Sequence, residues 1–275
     1  MQRRFSQVDV FTAVPYRGNP LAVVVDADGL ADDEMAQFAN WTNLSETTFL
    51  LPPTDPGADY RVRIFTPAGE LPFAGHPTLG TCRVWLDHGG RPAGDDVVQE
   101  CGVGRVAIRR NGARLAFAAP PLLRSGPVEP NLAAAIERAI GTGVVDAVWA
   151  DNGPGWVAVE VADVPTLRGL RPDFRELPGL DLGVVARCPD GDAERVELRA
   201  FFPTGNGHAE DPVTGSLNAS VAMWLMARDP SLTAYVARQG ISIGRSGRVH
   251  VERDADGAIW VGGDVATCIT GTVDV

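Results

Sequence analysis

Short apolar runs recur along the chain and are separated by turn residues and by stretches with helical spacing. Residues 8–11 and 21–25 each predict a strand, and the Gly-Asn-Pro turn at 18–20 lies between them. Residues 32–40 place apolar side chains at helical spacing, with Asp32 or Asp33 as the N-cap. The run 47–51 predicts another strand. This alternation favours an α/β chain over an all-α or all-β one.

The pattern of the first half returns in the second half. Residues 63–69 (RIFTPAG) match 199–205 (RAFFPTG) at an offset of 136 positions, 199 minus 63, and each run leads through a Gly-rich loop into a helix start. A second match joins residues 104–108 to 247–251, each followed by a hairpin turn. Two copies of one α/β unit explain both matches. The alternative is that α/β chains commonly repeat the order of strand, glycine and helix.

The predicted architecture is a mixed α/β (α+β) fold of two similar halves. The Pro-rich residues 118–121 are the best boundary, which gives an N-terminal half at 1–118 and a C-terminal half at 119–275.

Composition narrows the function classes. A formal net charge of −11 over 275 residues argues against a nucleic-acid binder, which needs a basic face. No apolar run reaches the length that spans a bilayer, and the first residues predict a strand instead of a signal peptide. The four cysteines lie far apart, without zinc-type spacing, so we expect no metal, reduced thiols and a cytoplasmic location.

Two helix starts are candidates for anion binding. Gly75 and Gly215 each begin a helical pattern with a proline close by, and Thr214 and Ser216 add hydroxyl groups beside the second start. Helix N-termini expose unpaired N–H groups and the positive end of the helix dipole, so they can hold a carboxylate. The alternative is ordinary loop-to-helix geometry.

Three residues are candidates for acid/base chemistry. Glu46 lies where a helix passes into a strand, and partial desolvation there would suit its carboxyl to proton transfer. His76 follows Gly75, where the helix dipole favours the neutral ring, and Asp211 precedes the second helix start. A surface glutamate, a packing or capping histidine and an N-cap aspartate are the structural alternatives.

At these residues the sequence resembles the PhzF-like phenazine-biosynthesis family, which shares the diaminopimelate-epimerase fold. The segments that carry the resemblance span nearly the whole chain and lie at 8–12, 18–24, 43–49, 63–67, 70–78 and 210–216. The resemblance implies two halves related by a pseudo-twofold axis, each with a sheet around a central helix, and an active site between the halves.

The resemblance also implies an activity. The family's phenazine enzyme isomerises a dihydro-hydroxyanthranilate by moving a proton between ring carbons, without a cofactor, and the family is commonly homodimeric. Glu46 matches its catalytic glutamate. His76, Asp211 and Ser216 match residues around the substrate, and Gly75 and Gly215 match the backbone donors. The expected partner is a small carboxylated, cyclic substrate.

Amino-acid epimerases of the same fold use two thiols, one at each helix start. Here those positions hold Ala74 and the region of Asp211, while Cys82 lies two turns into its helix. A shift of one proton by Glu46 therefore fits better than two-thiol chemistry. Epimerisation or dehydration of another substrate, and binding without catalysis, stay open as alternatives.

Overall fold

The computed structural model describes residues 1–205 and 207–275 as two compact units. The first unit contains residues 1–118 and 262–275, and the second contains residues 119–261.

Strands greatly outnumber helices in both units. In chain order the elements are β1 (Gln2–Val10), β2 (Asn19–Val24), α1 (Asp32–Thr42), β3 (Thr47–Leu51), β4 (Tyr60–Thr66), β5 (Gly69–Leu71), α2 (Gly75–Asp87), β6 (Val97–Cys101), β7 (Gly104–Asn111), β8 (Arg114–Ala118), β9 (Arg124–Pro127), α3 (Pro130–Ile140), β10 (Asp146–Asp151), β11 (Val157–Glu160), α4 (Val164–Gly169), β12 (Leu182–Arg187), β13 (Val196–Thr204), β14 (Gly207–Asp211), α5 (Gly215–Arg228), β15 (Ala234–Gln239), a 3₁₀ turn (Ile241–Ile243), β16 (Gly247–Arg253), β17 (Ile259–Gly263) and β18 (Val265–Asp274). In the part of the chain that the structure describes, no helix is both long and apolar enough to cross a membrane.

The two units repeat one strand pairing scheme. In the first, the sheet runs β18-β1-β2-β3-β4-β6-β7-β8, β5 pairs with β4, and the β2/β3 and β4/β6 pairs are parallel. In the second, it runs β9-β10-β11-β12-β13-β15-β16, β14 pairs with β13, and the β11/β12 and β13/β15 pairs are parallel. The predicted mixed α/β fold with a duplicated unit is confirmed.

The last residues of the chain differ from the sequence-based division, which assigned all of 119–275 to the second half. Residues 262–275 belong to the first unit. The physical reason is β18, which pairs antiparallel with the whole of β1, from Gln2 opposite Asp274 to Val10 opposite Val265. The local hydrophobic pattern gives no sign of a partner so far away in sequence.

One helix in each unit lies in the core. Every residue of α2 from Gly75 to Cys82 is buried, and the helix packs against β1, β2, β3 and β8. Gly80 permits this close approach, because a Cβ there would lie 2.5 Å from Leu21 Cδ2 and 3.0 Å from Val10 Cγ2. Helix α5 is buried in the same way.

The end of α1 sets up the position of Glu46. Asn43 takes the left-handed conformation with φ of 54°, and its N–H donates to the Ala39 carbonyl. Asn tolerates this conformation better than most residues, so the helix ends there and the chain turns directly into β3. The start of α1 differs from the prediction, because the N-cap is Ala31 and not Asp32 or Asp33. The Glu34 carboxylate instead accepts from the Ala31 N–H at 2.8 Å.

A buried ion pair joins β13 to β14. Arg199 and Glu210 form two hydrogen bonds of 2.7 and 3.0 Å, and their side chains are only 6% and 9% exposed. Arg199 also donates to the carbonyls of Leu167 and Leu170. The same position of the first unit holds Arg63, whose partners Asp32 and Glu70 are far more exposed.

We expect Arg199→Leu to lower the free energy of unfolding by about 3–5 kcal/mol, because it leaves the Glu210 carboxylate buried without its cation. Arg63→Leu is the matched control and should cost clearly less, because exposed ion pairs contribute little. Urea unfolding of the two variants measures the difference. Equal losses would contradict this account.

Candidate active site

Glu46 lies one residue before β3 in the first unit, and its side chain is 16% exposed. Its Oε2 atom is 3.4 Å from Nε2 of His76. The two candidates from the sequence are therefore neighbours, although 30 positions separate them along the chain. The low exposure of Glu46 differs from the alternative of a solvated surface glutamate.

His76 is the second residue of α2 and is 5% exposed. Burial lowers the pKa of His76 to about 3. The ring is therefore neutral near pH 7, and its contact with Glu46 joins a neutral imidazole to a carboxyl group and is not an ion pair.

Asn19 lies beside the other ring nitrogen of His76. Its Nδ2 atom lies 3.5 Å from His76 Nδ1, and the residue is fully buried at the start of β2. An amide N–H that donates to Nδ1 leaves the ring proton on Nε2, the atom that faces Glu46. Asn19 was present in the Gly-Asn-Pro turn of the sequence, but nothing local to that motif linked it to His76.

The start of α2 leaves backbone donors for a ligand. Gly75 is the first helical residue, and the N-cap, Ala74, has no side chain that could cap the helix. The Thr78 hydroxyl and N–H both bind the Ala74 carbonyl, at 2.9 and 3.2 Å, which fixes the first turn. The N–H groups of Gly75 and His76 stand at the positive end of the helix dipole.

The second unit repeats this arrangement with different side chains. Gly215 begins α5, and Ser216 occupies the position of His76 in the second residue of the helix. The Ser216 Oγ atom accepts a hydrogen bond of 3.0 Å from Trp156 Nε1, and its carbonyl accepts one of 2.9 Å from Asn152. Because the hydroxyl accepts from the indole, its own proton is directed elsewhere and can be donated to an anion.

Asp211 ends β14, three residues before the N-cap of α5. Its Oδ2 atom accepts a 2.5 Å hydrogen bond from the Thr214 hydroxyl, so the N-cap of α5 is Thr214 and not Asp211. The Thr214 N–H donates to the side chain of Gln239 at 3.0 Å. Both of these Thr214 hydrogen bonds lie within the second unit, and the hydroxyl supports Asp211. That Thr214 also binds substrate stays a prediction from the sequence.

Sequence reasoning missed Asp181, the counterpart of Glu46 in the second unit. Thr47 pairs with Phe65 and Leu182 pairs with Phe201, so the residues just before β3 and β12 are equivalent. Burial, and then the nearby Asp151 carboxylate, raise the pKa of Asp181 to about 6. The pairing register reveals the equivalence, which residue type alone does not.

The thiols lie away from both helix starts. Cys82 is buried in α2, and burial raises its pKa to about 12, which makes it a poor acid or base near neutral pH. Cys188 is also buried, while Cys101 and Cys268 are partly exposed. Within the described residues, no group of three or more His, Cys, Asp or Glu side chains is arranged to hold a metal ion.

Comparison with known proteins matches nearly the whole chain to one family. The family model described as phenazine biosynthesis-like protein, PhzC-PhzF, matches residues 8–271. The trans-2,3-dihydro-3-hydroxyanthranilate isomerase of Pseudomonas aeruginosa is 33% identical, over 98% of each chain. The Schizosaccharomyces pombe protein named antisense-enhancing sequence 1 is 34% identical, also over 98% of each chain.

A solved structure supports the fold. The crystal structure of a PhzF-family phenazine biosynthesis protein from Enterococcus faecalis matches with a TM-score of 0.82 and 28% identity, over the full length of both chains. The epimerase-like fold predicted from the sequence is confirmed.

The neutral state of His76 can be measured directly. Because burial lowers its pKa to about 3, we expect its ring signals in ¹H–¹⁵N NMR to stay in the neutral pattern from pH 8 down to pH 5. The spectrum of His76→Gln assigns those signals by their absence. Protonation of this ring near pH 6.5 would contradict the buried geometry.

Asp181 makes stability depend on pH. Its pKa is raised from 3.8 to about 6, so the folded state binds this proton more tightly and loses stability as pH rises from 4 to 6. Asp181→Asn should therefore stabilise the protein at pH 7.5, by about 1 kcal/mol after allowance for solvent screening, and should have no such effect below pH 4. Thermal unfolding at both pH values tests this, with the exposed Asp190→Asn as control. A gain that is equal at both pH values would refute the assignment.

Proposed function

We propose that this chain moves a proton between two carbon atoms of a small carboxylated, cyclic metabolite. The premise is that the chain belongs to the PhzC-PhzF family of phenazine biosynthesis-like proteins and is an isomerase. The proposed substrate type is trans-2,3-dihydro-3-hydroxyanthranilate, the compound in the names of relatives that are 33–35% identical.

The approach of Glu46 to His76 is the observation that carries the proposal. A carboxylate with little hydration is a stronger base toward a carbon acid than a solvated one. In the proposed reaction Glu46 removes a proton from one ring carbon, and the electron pair moves through the adjacent double bond. The protonated Glu46 then returns the proton to a second carbon, so no proton is gained or lost overall.

His76 positions the base in this scheme. Its Nε2 faces the Glu46 carboxyl at 3.4 Å, and the ring is neutral. A neutral imidazole at this distance places no full positive charge beside the carboxylate, so Glu46 keeps its capacity to accept a proton. The Gly75 N–H at the same helix start is proposed as a donor to the substrate's anionic group.

The second unit is proposed to contribute substrate binding. The Gly215 N–H and the Ser216 hydroxyl supply donors for a carboxylate, and Asp211 supplies an acceptor for a substrate N–H or O–H. On the family resemblance we also propose that the protein is a homodimer in the cytoplasm and needs no cofactor.

The test follows the proton. Incubation of the wild-type protein with trans-2,3-dihydro-3-hydroxyanthranilate in heavy water, followed by NMR, should show consumption and deuterium at a new ring carbon. Glu46→Gln should keep its thermal stability and lose at least ~100-fold in turnover, because the general base is gone. Glu252→Gln, at an exposed glutamate of β16, is the matched control and should react like the wild type.

Four results would overturn parts of this proposal. Turnover that survives in Glu46→Gln would remove the assigned base. Inversion at a stereocentre with deuterium uptake would indicate an epimerase, and loss of water would indicate a dehydratase. Absence of any reaction with this compound would reject it as the substrate.

A further inference from the structure

A fully buried glutamine lies behind Asp211 in the second unit. Gln239 is the last residue of β15 and is 0% exposed. Its side-chain amide makes four hydrogen bonds. It donates to the Thr214 hydroxyl at 2.9 Å and to the Asp211 carbonyl at 3.1 Å, and it accepts from the Thr214 N–H and the Asn218 side chain, both at 3.0 Å.

These contacts determine which way the amide points. A backbone N–H is always a donor, so the Gln239 atom that meets the Thr214 N–H must be the oxygen. The amide nitrogen is therefore the atom that meets the Thr214 hydroxyl, and it can only donate. The hydroxyl oxygen must accept this bond, and its own proton is directed to Asp211 Oδ2 at 2.5 Å.

We propose that Gln239 is a positioning residue for the reaction, which acts through the Thr214 hydroxyl to direct a permanent hydrogen bond onto one oxygen of Asp211. The bond orients the carboxylate and stabilises its charged form, so that Asp211 presents an acceptor to the substrate. This inference rests on the role of Asp211 in the proposed function.

The first unit contains the same glutamine without the relay. Gln99 lies 21 residues after Thr78, as Gln239 lies 21 residues after Asn218, and it donates to the Thr78 hydroxyl at 3.0 Å. The Thr78 hydroxyl then donates to the Ala74 carbonyl at 2.9 Å. This series of hydrogen bonds ends at Ala74, because the N-cap residue has no hydroxyl group.

Strand pairing shows which residue of the first unit stands at the position equivalent to Asp211, and that residue is not an acid. Leu71 pairs with Ile64, and Asp211 pairs with Ala200, which is the matching position of β13. Leu71 thus takes the place of Asp211, and Ala74 takes the place of Thr214. The shared glutamine supports the start of a buried helix in both units, and only the second unit extends that support to an acid.

The test measures the Asp211 carboxyl itself, by ¹³C NMR of selectively labelled aspartate, with Asp211→Asn to assign the signal. In Thr214→Val the titration midpoint of Asp211 should rise by roughly one pH unit, because a hydrogen bond to the charged form is lost. Gln239→Leu should also raise the titration midpoint of Asp211. Thr214→Ser, which keeps the hydroxyl, should leave the midpoint at its wild-type value.

Gln99→Leu distinguishes the proposed positioning of Asp211 from a purely structural role of a buried glutamine. It removes the equivalent buried amide in the first unit, so it should lower thermal stability and leave the Asp211 midpoint unmoved. If Gln239→Leu does not fold, the Thr214 pair of variants still decides the question. An Asp211 midpoint that is the same in wild type and Thr214→Val would overturn the inference.

Activity provides a separate readout. With an active substrate, the acidic limb of the pH profile of kcat/KM should move to higher pH in Thr214→Val and stay in place in Gln99→Leu. Full activity in Asp211→Asn would instead refute the assigned role of Asp211 in the proposed function, even if the NMR midpoints behave as expected. A failure of this inference is therefore distinguishable from a failure of the proposed function.

Discussion

A helix that is buried on nearly every side must have its first-turn polar groups satisfied by protein or by ligand, because water does not reach them. This constraint governs both units. An unpaired buried polar group costs about 1–3 kcal/mol, so neither α2 nor α5 could be stable in the core without partners at its start. Gln99 and Gln239 supply side-chain partners from neighbouring strands. The donors that remain at Gly75 and Gly215 are then positioned by a rigid scaffold.

Against this shared scaffold, the differences between the units stand out. Glu46 corresponds to Asp181 and His76 to Ser216, while Leu71 and Ala74 of the first unit correspond to Asp211 and Thr214. The strand pairing scheme stayed the same while the polar side chains diverged. The duplicated fold in this way provides two helix starts that follow the same strand order and carry different side-chain chemistry.

Much of the fold could be predicted from the sequence, because the patterns that indicate strands and the repeated unit are local. The strand at 47–51 has the predicted bounds, and the matched runs at 63–69 and 199–205 reveal the duplication. Long-range contacts could not be predicted. Asn19 approaches His76 across 57 residues, and Gln239 binds Thr214 across 25. Glutamate is a residue type that is mostly exposed, yet Glu210 is buried, where Arg199 pairs with it. In each case the partner, and not the residue's own neighbourhood in sequence, decides the environment.

The pairing of β18 with β1 has a consequence for synthesis on the ribosome. Residues 2–10 are made long before residues 265–274, which form the strand that covers one edge of β1. During translation, that edge of the first unit stays open until the whole second unit has been made, and an open strand edge can pair with another chain. The second unit, whose residues are contiguous from 119 to 261, has no such delay. The half that is translated later can therefore complete its sheet first, and the first unit depends on residues 262–275 to close its own sheet.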